Sequence, residues 1–476
     1  MIFNSIDFLI FFPIVTTAYF LLPHRFRWIW LLAASCYFYM SFIPAYLLVL
    51  ALTISVDYLS VRAIERSTTP AFKKTYLATS IVMTGLILFI FKYFNFFNTN
   101  VAALAHTVGW NYSIESLMII LPIGLSFHTF QSMSYVIEVY RGKQKAENHF
   151  GVLALYVLFF PQLVAGPIER PQNLLHQFYE VHKVDWGKIE SGACLMLYGF
   201  FKKMVIADRL AVLVNSVYGN PHVYGRVYLV LATVSFAFQI YCDFSGYSDI
   251  ARGAARIMGF ELMTNFDNPY HSKSIGEFWR RWHISLSTWF KDYVYIPLGG
   301  SHVTVPRWSM NILLVFLLSG LWHGANWTFL LWGLLHGTYL IASRLSVNLR
   351  KNLLHWTRLI SFPRVHTVIS ICITFTLVTI GWVFFRASTL SDAFLILTRF
   401  FFADGVGKMT TIGGALAGQY TAIVGIILME LIERVDTNRI MARWPWSLSV
   451  ANLLLILIIL LFGVFYKNAA FIYSQF

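Results

Sequence analysis

Apolar residues fall in long blocks along this chain, at about 5–22, 28–42, 44–61, 77–98 and 116–138, with further blocks at 367–385 and 448–466. A hydrocarbon core ~30 Å thick needs ~20 apolar residues of helix. Each block therefore predicts a helix that crosses a membrane or nearly does. Basic loops alternate between them. His24, Arg25 and Arg27 follow the first block; Arg62, Arg66, Lys73 and Lys74 follow the third; Arg141, Lys143 and Lys145 follow the fifth. The loop at 99–115 contains neither Lys nor Arg. Basic loops stay in the cytoplasm, so the N-terminus is expected outside and these three loops inside. Arg434, Arg439 and Arg443 before the last block put the C-terminus outside as well. The first block lacks a basic leader and a small-residue cleavage site, and it reads as a retained helix.

One uncharged run is too long for a single crossing. No Asp, Glu, Lys or Arg occurs from Trp308 to Ser343. Those 36 residues would make a helix of about 54 Å at ~1.5 Å per residue. The run must break, and Gly324-Ala325-Asn326 is the expected place. That puts His323 at a break inside a membrane segment, where an ionisable group suggests function. The bland alternative is a histidine that hydrogen-bonds across the helix bundle. His336 lies 13 residues further on. On one straight helix it would be about 20 Å and some 220° away, so it is read as structural. His283, 40 residues upstream on another element, is the better partner for His323.

Between 150 and 300 the blocks are cut by Gly, Pro and charge: Pro161, Ala165-Gly166-Pro167, Lys202-Lys203, Asp243, Asp249, Arg252 and Arg256. Irregular backbone at membrane depth survives only when buried in protein or lining a cavity. The expected organisation is one domain over 1–476, an all-α polytopic membrane protein of roughly 10–12 helices plus re-entrant and interfacial pieces. The echo of Leu318–Gly324 in Leu331–Gly337 is too short to mark a repeat.

Composition agrees. The chain is 58% hydrophobic and 12% charged, against roughly 25% charged in soluble domains, and its mean hydropathy is +0.63. The net charge of +14 sits in short loops, where topology and anionic headgroups account for most of it and a minority could meet an anionic cosubstrate. No nucleic-acid module accompanies it. Cys36, Cys194, Cys242 and Cys372 show no metal spacing and read as small buried hydrophobes.

Four further stretches stand out. In Ile275–Pro297, Phe278, Trp279, Trp282, Leu286, Trp289 and Phe290 recur with helical period, with Arg280, His283 and Ser287 as a polar stripe. Glu277 can pair with Arg280 or Arg281 one turn on. This fits either an interfacial helix held by Trp and Arg or one wall of a reaction centre. Tyr241–Ile250 places Asp243 and Asp249 beside small residues, read as core-shaping hydrogen bonding or as cavity wall; the three or more converging ligands of a metal site are not evident. Pro161–Arg170 reads as a membrane-level turn, and Phe471–Phe476 as an aromatic tail that anchors at the interface or docks a partner.

Glu277-Phe278-Trp279-Arg280-Arg281-Trp282-His283-Ile284-Ser285-Leu286-Ser287 with Leu321-Trp322-His323-Gly324-Ala325-Asn326-Trp327 resembles the membrane-bound O-acyltransferase (MBOAT) family. Its alginate O-acetyltransferase membrane subunits and their peptidoglycan- and cellulose-acetylating relatives are the most similar branch, with the D-alanyl transfer protein of teichoic acids a more distant cousin. Tyr241–Asp249, Ala165-Gly166-Pro167, Gly381–Ala387 and the aromatic tail share the resemblance, which extends from the first helix to the last residue. Ser474 stands where relatives often carry an aromatic residue.

The resemblance implies an MBOAT fold, a ring of tilted helices around a central tunnel, in a bacterial inner membrane. It implies catalytic roles for His323 and His283, and acetyl-CoA as cosubstrate, with no permanently bound cofactor. The acetyl group would leave on the outer face for a polysaccharide such as alginate or peptidoglycan, usually through a periplasmic SGNH-type acetyltransferase partner. Arg280, Arg281 and Lys291 are candidates to hold the CoA phosphates. Trp279, Trp282, Trp322, Asn326, Asp243 and Ser245 are candidates for the tunnel wall. D-alanyl-type transfer, a polysaccharide or lipid transporter and a non-catalytic envelope scaffold are the competing expectations.

Overall fold

The computed structural model describes residues 1–164, 166–402, 413–434 and 447–465. Every regular element among them is helical. The aromatic tail at 471–476, Ala165, Arg439 and Arg443 lie outside the described residues. The chain divides into two compact units, one of Met1–Met196 with Ser248–Met263, the other of Leu197–Tyr247 with Thr264–Phe476.

The first unit begins with α1 (Ile6–Leu21), α2 (His24–Met40), α3 (Tyr46–Arg66) and α4 (Pro70–Leu88). Ser5 caps α1 by accepting from the Phe8 amide at 3.2 Å, which satisfies one of the helix's open donors. A π-turn over Phe89–Tyr93 joins α4 to α5 (Phe94–Thr107). The expected loop at 99–115 therefore begins only after Thr107. The block at 116–138 is not one helix either. Its first part is irregular, and α6 runs Leu125–Tyr140. Side chains replace the missing backbone ladder there: Asn95 exchanges two hydrogen bonds with Leu117, and Asn98 donates to the Ile114 carbonyl. Hydrophobicity alone does not distinguish a helix from such a strap.

Next come α7 (Phe150–Leu158), a short α8 (Phe160–Leu163), α9 (Pro171–Leu174) and α10 (Trp186–Phe200). The expected turn after Pro161 is present. Gln131 and Gln162 both donate to the Tyr156 carbonyl, the Tyr156 hydroxyl donates to the Glu169 carbonyl, and the Glu169 carboxylate accepts from the Met263 amide. These bonds meet the buried backbone's demand for partners.

The second unit takes up a π-turn at Phe201–Ala207, α11 (Asp208–Gly219) and α12 (Arg226–Ile257), whose last turns belong to the first unit. It continues with α13 (Ile275–Arg281), α14 (Ile284–Phe290), α15 (Val305–His323), α16 (Trp327–Leu345) and α17 (Val347–Trp356). It ends with α18 (Pro363–Arg386), α19 (Leu390–Phe401), α20 (Gly413–Arg434) and α21 (Ser447–Phe462). Among the described residues, five helical stretches are long and apolar enough to cross a membrane: Tyr46–Arg66, Pro70–Thr107, Arg226–Ile257, Val305–His323 and Pro363–Arg386. Two shorter apolar helical stretches are Ile6–Leu21 and Ser449–Phe462.

The cysteine expectation holds in part. Cys242 is buried, but Cys372 is exposed on α18 and Cys36 and Cys194 are half-buried. On a membrane protein an apolar residue is as well placed against lipid as inside, so burial does not follow from hydrophobicity.

Candidate active site

The long uncharged run breaks where expected. α15 ends at His323, and α16 starts after Asn326, whose side-chain oxygen accepts from the Thr328 amide at 3.0 Å. The two helices then fold back as a close hairpin. A Cβ on Gly320 would strike the Phe329 carbonyl, and one on Gly333 the Phe316 carbonyl. Small residues let membrane helices approach at this separation. Asn326 acts as a cap, with its amide also donating to the Ser388 carbonyl.

The break changes where His336 lies. The 20 Å separation applied to one straight helix; in the hairpin, the buried ring of Trp332 stands 5.1 Å from His323 and 5.1 Å from His336. His336 Nδ1 accepts from the Trp279 indole at 3.3 Å, so its neutral form carries the proton on Nε2.

The expected continuous helix through 275–290 is absent. α13 stops at Arg281, and His283 adopts left-handed backbone angles (φ 43°, ψ 57°) before α14 begins. A non-glycine residue there is uncommon, and the turn is pinned from outside. The Asn265 carbonyl accepts from the Ile284 amide at 2.9 Å, and its side chain from the Ser285 amide at 3.3 Å. The reversal takes His283 off the line of Arg280 and Ser287, so the predicted polar stripe does not form. His283 instead sits 1% exposed, its ring edge-on to Phe244 at 4.6 Å. Buried Asn265 was missed in the sequence; nothing in its local pattern distinguishes it from other loop asparagines.

Trp322 links the two histidines. Its ring lies 4.9 Å from His323 and 6.0 Å from His283, so the imidazoles are no farther apart than those two distances together. Phe385 closes His323 on another side at 5.1 Å. Trp382 donates to the Tyr270 hydroxyl at 3.2 Å, and Gly381 leaves room for His336 Nε2, which a Cβ would meet at 2.6 Å. The Gly381–Ala387 motif is thus the wall behind the histidines. The buried indole N–H of Trp332 meets no acceptor among the described residues.

A cleft of about 190 Å³ leads from exposed Arg280 and Lys291 past Ser287 and Tyr295 to Trp279, Phe316 and Ser319. Ser319 is one helical turn before His323 on the same helix face. Of the three expected phosphate contacts, Arg280 and Lys291 line this cleft. Arg281 pairs instead with Glu277 at 2.9 Å. Of the expected wall residues, Trp279 lines the cleft, Trp322 stands between the histidines and Ser245 is buried in α12. Trp282 is enclosed by Phe278 and Trp382, with ring centres at 5.4 and 4.9 Å.

Asp243 belongs to a buried ion triad. Lys203 Nζ lies 2.5 Å from Asp243 and 2.8 Å from Asp208. Gly246 permits it: a Cβ there would meet the Gly199 carbonyl at 2.7 Å. The sequence showed the three charges only as interruptions, because their meeting depends on that helix contact.

Two histidines at helix breaks behind an aromatic wall, with a basic-mouthed cleft lined by Ser319 one turn before His323, suit group transfer from an anionic donor. Sequence comparison decides the class. Residues 149–384 match the membrane-bound O-acyltransferase family, MBOAT. The chain is 40% identical to a probable alginate O-acetylase of Pseudomonas aeruginosa, covering 84% of this chain and 75% of that one. It belongs to the MBOAT family. It is also 32% identical to a peptidoglycan O-acetyltransferase of Helicobacter pylori, across all of this chain and 91% of the relative. A teichoic acid D-alanyltransferase of Bacillus subtilis matches more distantly, 29% identical over 55% of this chain and 68% of its own length. This MBOAT protein is therefore a multi-pass membrane acyltransferase, and the profile match contains both histidines, the cleft and most of the Gly381–Ala387 wall.

Proposed function

We propose that the protein takes acetyl from acetyl-CoA at the cytoplasmic face of the inner membrane and passes it outward for O-acetylation of an envelope or secreted polysaccharide. Both termini then lie on the periplasmic side, and a periplasmic SGNH-type transferase receives the acetyl group. The observation that carries this reading is the cleft, which leads from Arg280 and Lys291 to Ser319, one turn from His323. CoA is a polyanion that cannot enter the bilayer core, so its phosphates stay at the basic mouth while the slim thioester arm enters.

His323 removes the proton from the acceptor hydroxyl as that oxygen attacks the thioester carbonyl. The carbon–oxygen bond forms and the carbon–sulfur bond breaks; the acceptor proton leaves on the outer side, and the CoA thiolate takes up a proton from the cytoplasm. His283, fixed by its pinned turn, and the Trp332 N–H serve the developing oxyanion. The names of the two acetylating relatives support acetyl as the group transferred.

Labelled acetyl-CoA supplied to the purified full-length chain together with the periplasmic transferase and an alginate oligosaccharide tests the proposal. His323→Ala is expected to lose acetyl transfer while staying monodisperse in detergent. Normal transfer by that variant refutes the assignment of roles.

A further inference from the structure

The first unit contains a buried polar seam that the acyl-transfer site does not use. Three helices contribute to it, each with two residues one turn apart: Thr53 and Asp57 on α3, Ser80 and Thr84 on α4, His128 and Ser132 on α6. All six are at most 2% exposed. The Ser80 hydroxyl donates to Asp57 at 2.5 Å, and the Thr84 and Ser132 hydroxyls also face this carboxyl. His128 Nε2 lies 2.5 Å from the Thr53 hydroxyl. Among the described residues Asp57 has no ion-pair partner.

The seam continues in both directions along α6. Lys92 of the π-turn donates to Ser126 at 3.3 Å, near the end that leads to the strap at 108–124. At the other end the Tyr135 hydroxyl accepts from the Glu147 amide at 2.7 Å, next to the loop carrying Arg141, Lys143 and Lys145. From Ser126 to Glu138 the helix rises about 18 Å at ~1.5 Å per residue, a large share of a ~30 Å hydrocarbon core. Besides Asp57, the buried titratable groups on the packed helices are His128, Tyr135 and Glu138 on α6, Tyr156 on α7 and Tyr39 on α2. Hydroxyls alone would hold these helices together; a carboxylate on α3 and an imidazole on α6 add groups that bind and release protons.

Acetyl transfer with the donor inside and the acceptor outside separates protons. Overall, the acceptor O–H bond and the thioester C–S bond break, and a C–O and an S–H bond form. If the hydroxyl reacts outside while sulfur departs inside, one proton appears outside and one is taken up from the cytoplasm. Each turnover then moves one positive charge outward, and the resulting potential opposes the next.

We infer that the α3–α4–α6 seam is a proton path, with Asp57 and His128 as its proton-binding groups, and that it returns the proton released by acetyl transfer. This rests on the transmembrane acetyl transfer proposed above. Asp57→Asn preserves the shape and an acceptor for Ser80. Full-length protein is assayed with the periplasmic transferase and an alginate oligosaccharide in detergent, and in sealed proteoliposomes that hold both inside with acetyl-CoA outside, by release of CoA thiol. In detergent the variant is expected within twofold of wild type. In vesicles it is expected at least fivefold slower, restored to within twofold by a protonophore, and Asp57→Glu is expected to match wild type. Equal rates in vesicles overturn the inference, as does slowness in detergent or in vesicles that no protonophore relieves. A wild type inactive in detergent instead overturns the acetyl-transfer reading, and this inference with it.

Discussion

The indole N–H of Trp279 donates to Nδ1 of His336 at 3.3 Å, and the same indole lines the cleft that ends near His323. His336 is thereby held by the cleft wall. A neutral hydrogen bond of this kind contributes about 1 kcal/mol. Trp279→Phe is expected to lower kcat/KM for acetyl-CoA by roughly five- to tenfold, measured by steady-state kinetics with stability followed by thermal unfolding.

Charge at the cleft mouth gives a sharper contrast. Arg280→Glu and Lys291→Glu are each expected to raise the KM for acetyl-CoA about tenfold while changing kcat little, since a removed phosphate contact acts equally on ground and transition states. Arg281→Ala is expected to leave KM within twofold, because its guanidinium is engaged with Glu277. An unchanged KM in both reversals would place the phosphates elsewhere.

The Trp332 N–H is a fully buried donor 5.1 Å, ring to ring, from His323. Trp332→Phe keeps the ring packing and removes the donor. A donor serving the oxyanion is worth roughly 10²-fold in kcat, so a fall of that order with unchanged KM is expected; an unaltered kcat would show that the N–H takes no part.

Lys203 between Asp208 and Asp243 is a buried charge triad. Removing one partner of such a set costs about 3–5 kcal/mol because the remaining charge is left uncompensated. Lys203→Met is expected to reduce folded yield and lower the melting temperature strongly. Adding Asp208→Asn and Asp243→Asn to that variant removes the stranded charges, and the triple variant is expected to recover most of the loss, measured by thermal unfolding in detergent.

The hairpin depends on two glycines. Gly320→Val and Gly333→Val each push a side chain into an opposing carbonyl, and overpacking costs about 1–3 kcal/mol. Both are expected to lower thermal stability and, by displacing His323, to reduce acetyl transfer more than they reduce folded yield.

The membrane class, the family and the helix break at Gly324–Asn326 were legible in the chain itself. An uncharged run of 36 residues exceeds one crossing, and histidine motifs are local strings. The continuous helix expected through 275–290 failed because the distant Asn265 supplies both hydrogen bonds that stabilise a left-handed His283. The start of the helix expected at 116–138 failed because Asn95 provides, to both backbone groups of Leu117, the bonds that a helix would otherwise make internally.

Hydrophobic periodicity and charge distribution by themselves determined that this chain enters a membrane, with the basic loops setting its expected orientation, since both effects depend on residues close together in sequence. Only the tertiary structure decided which polar groups meet. The hairpin brought His336 to the same indole as His323, Gly246 brought Lys203 to Asp243, and the packing of α3 on α4 brought Asp57 to Ser80. In a low-dielectric interior a polar group is stable only beside its partner, and that partner is chosen by helix packing rather than by sequence distance.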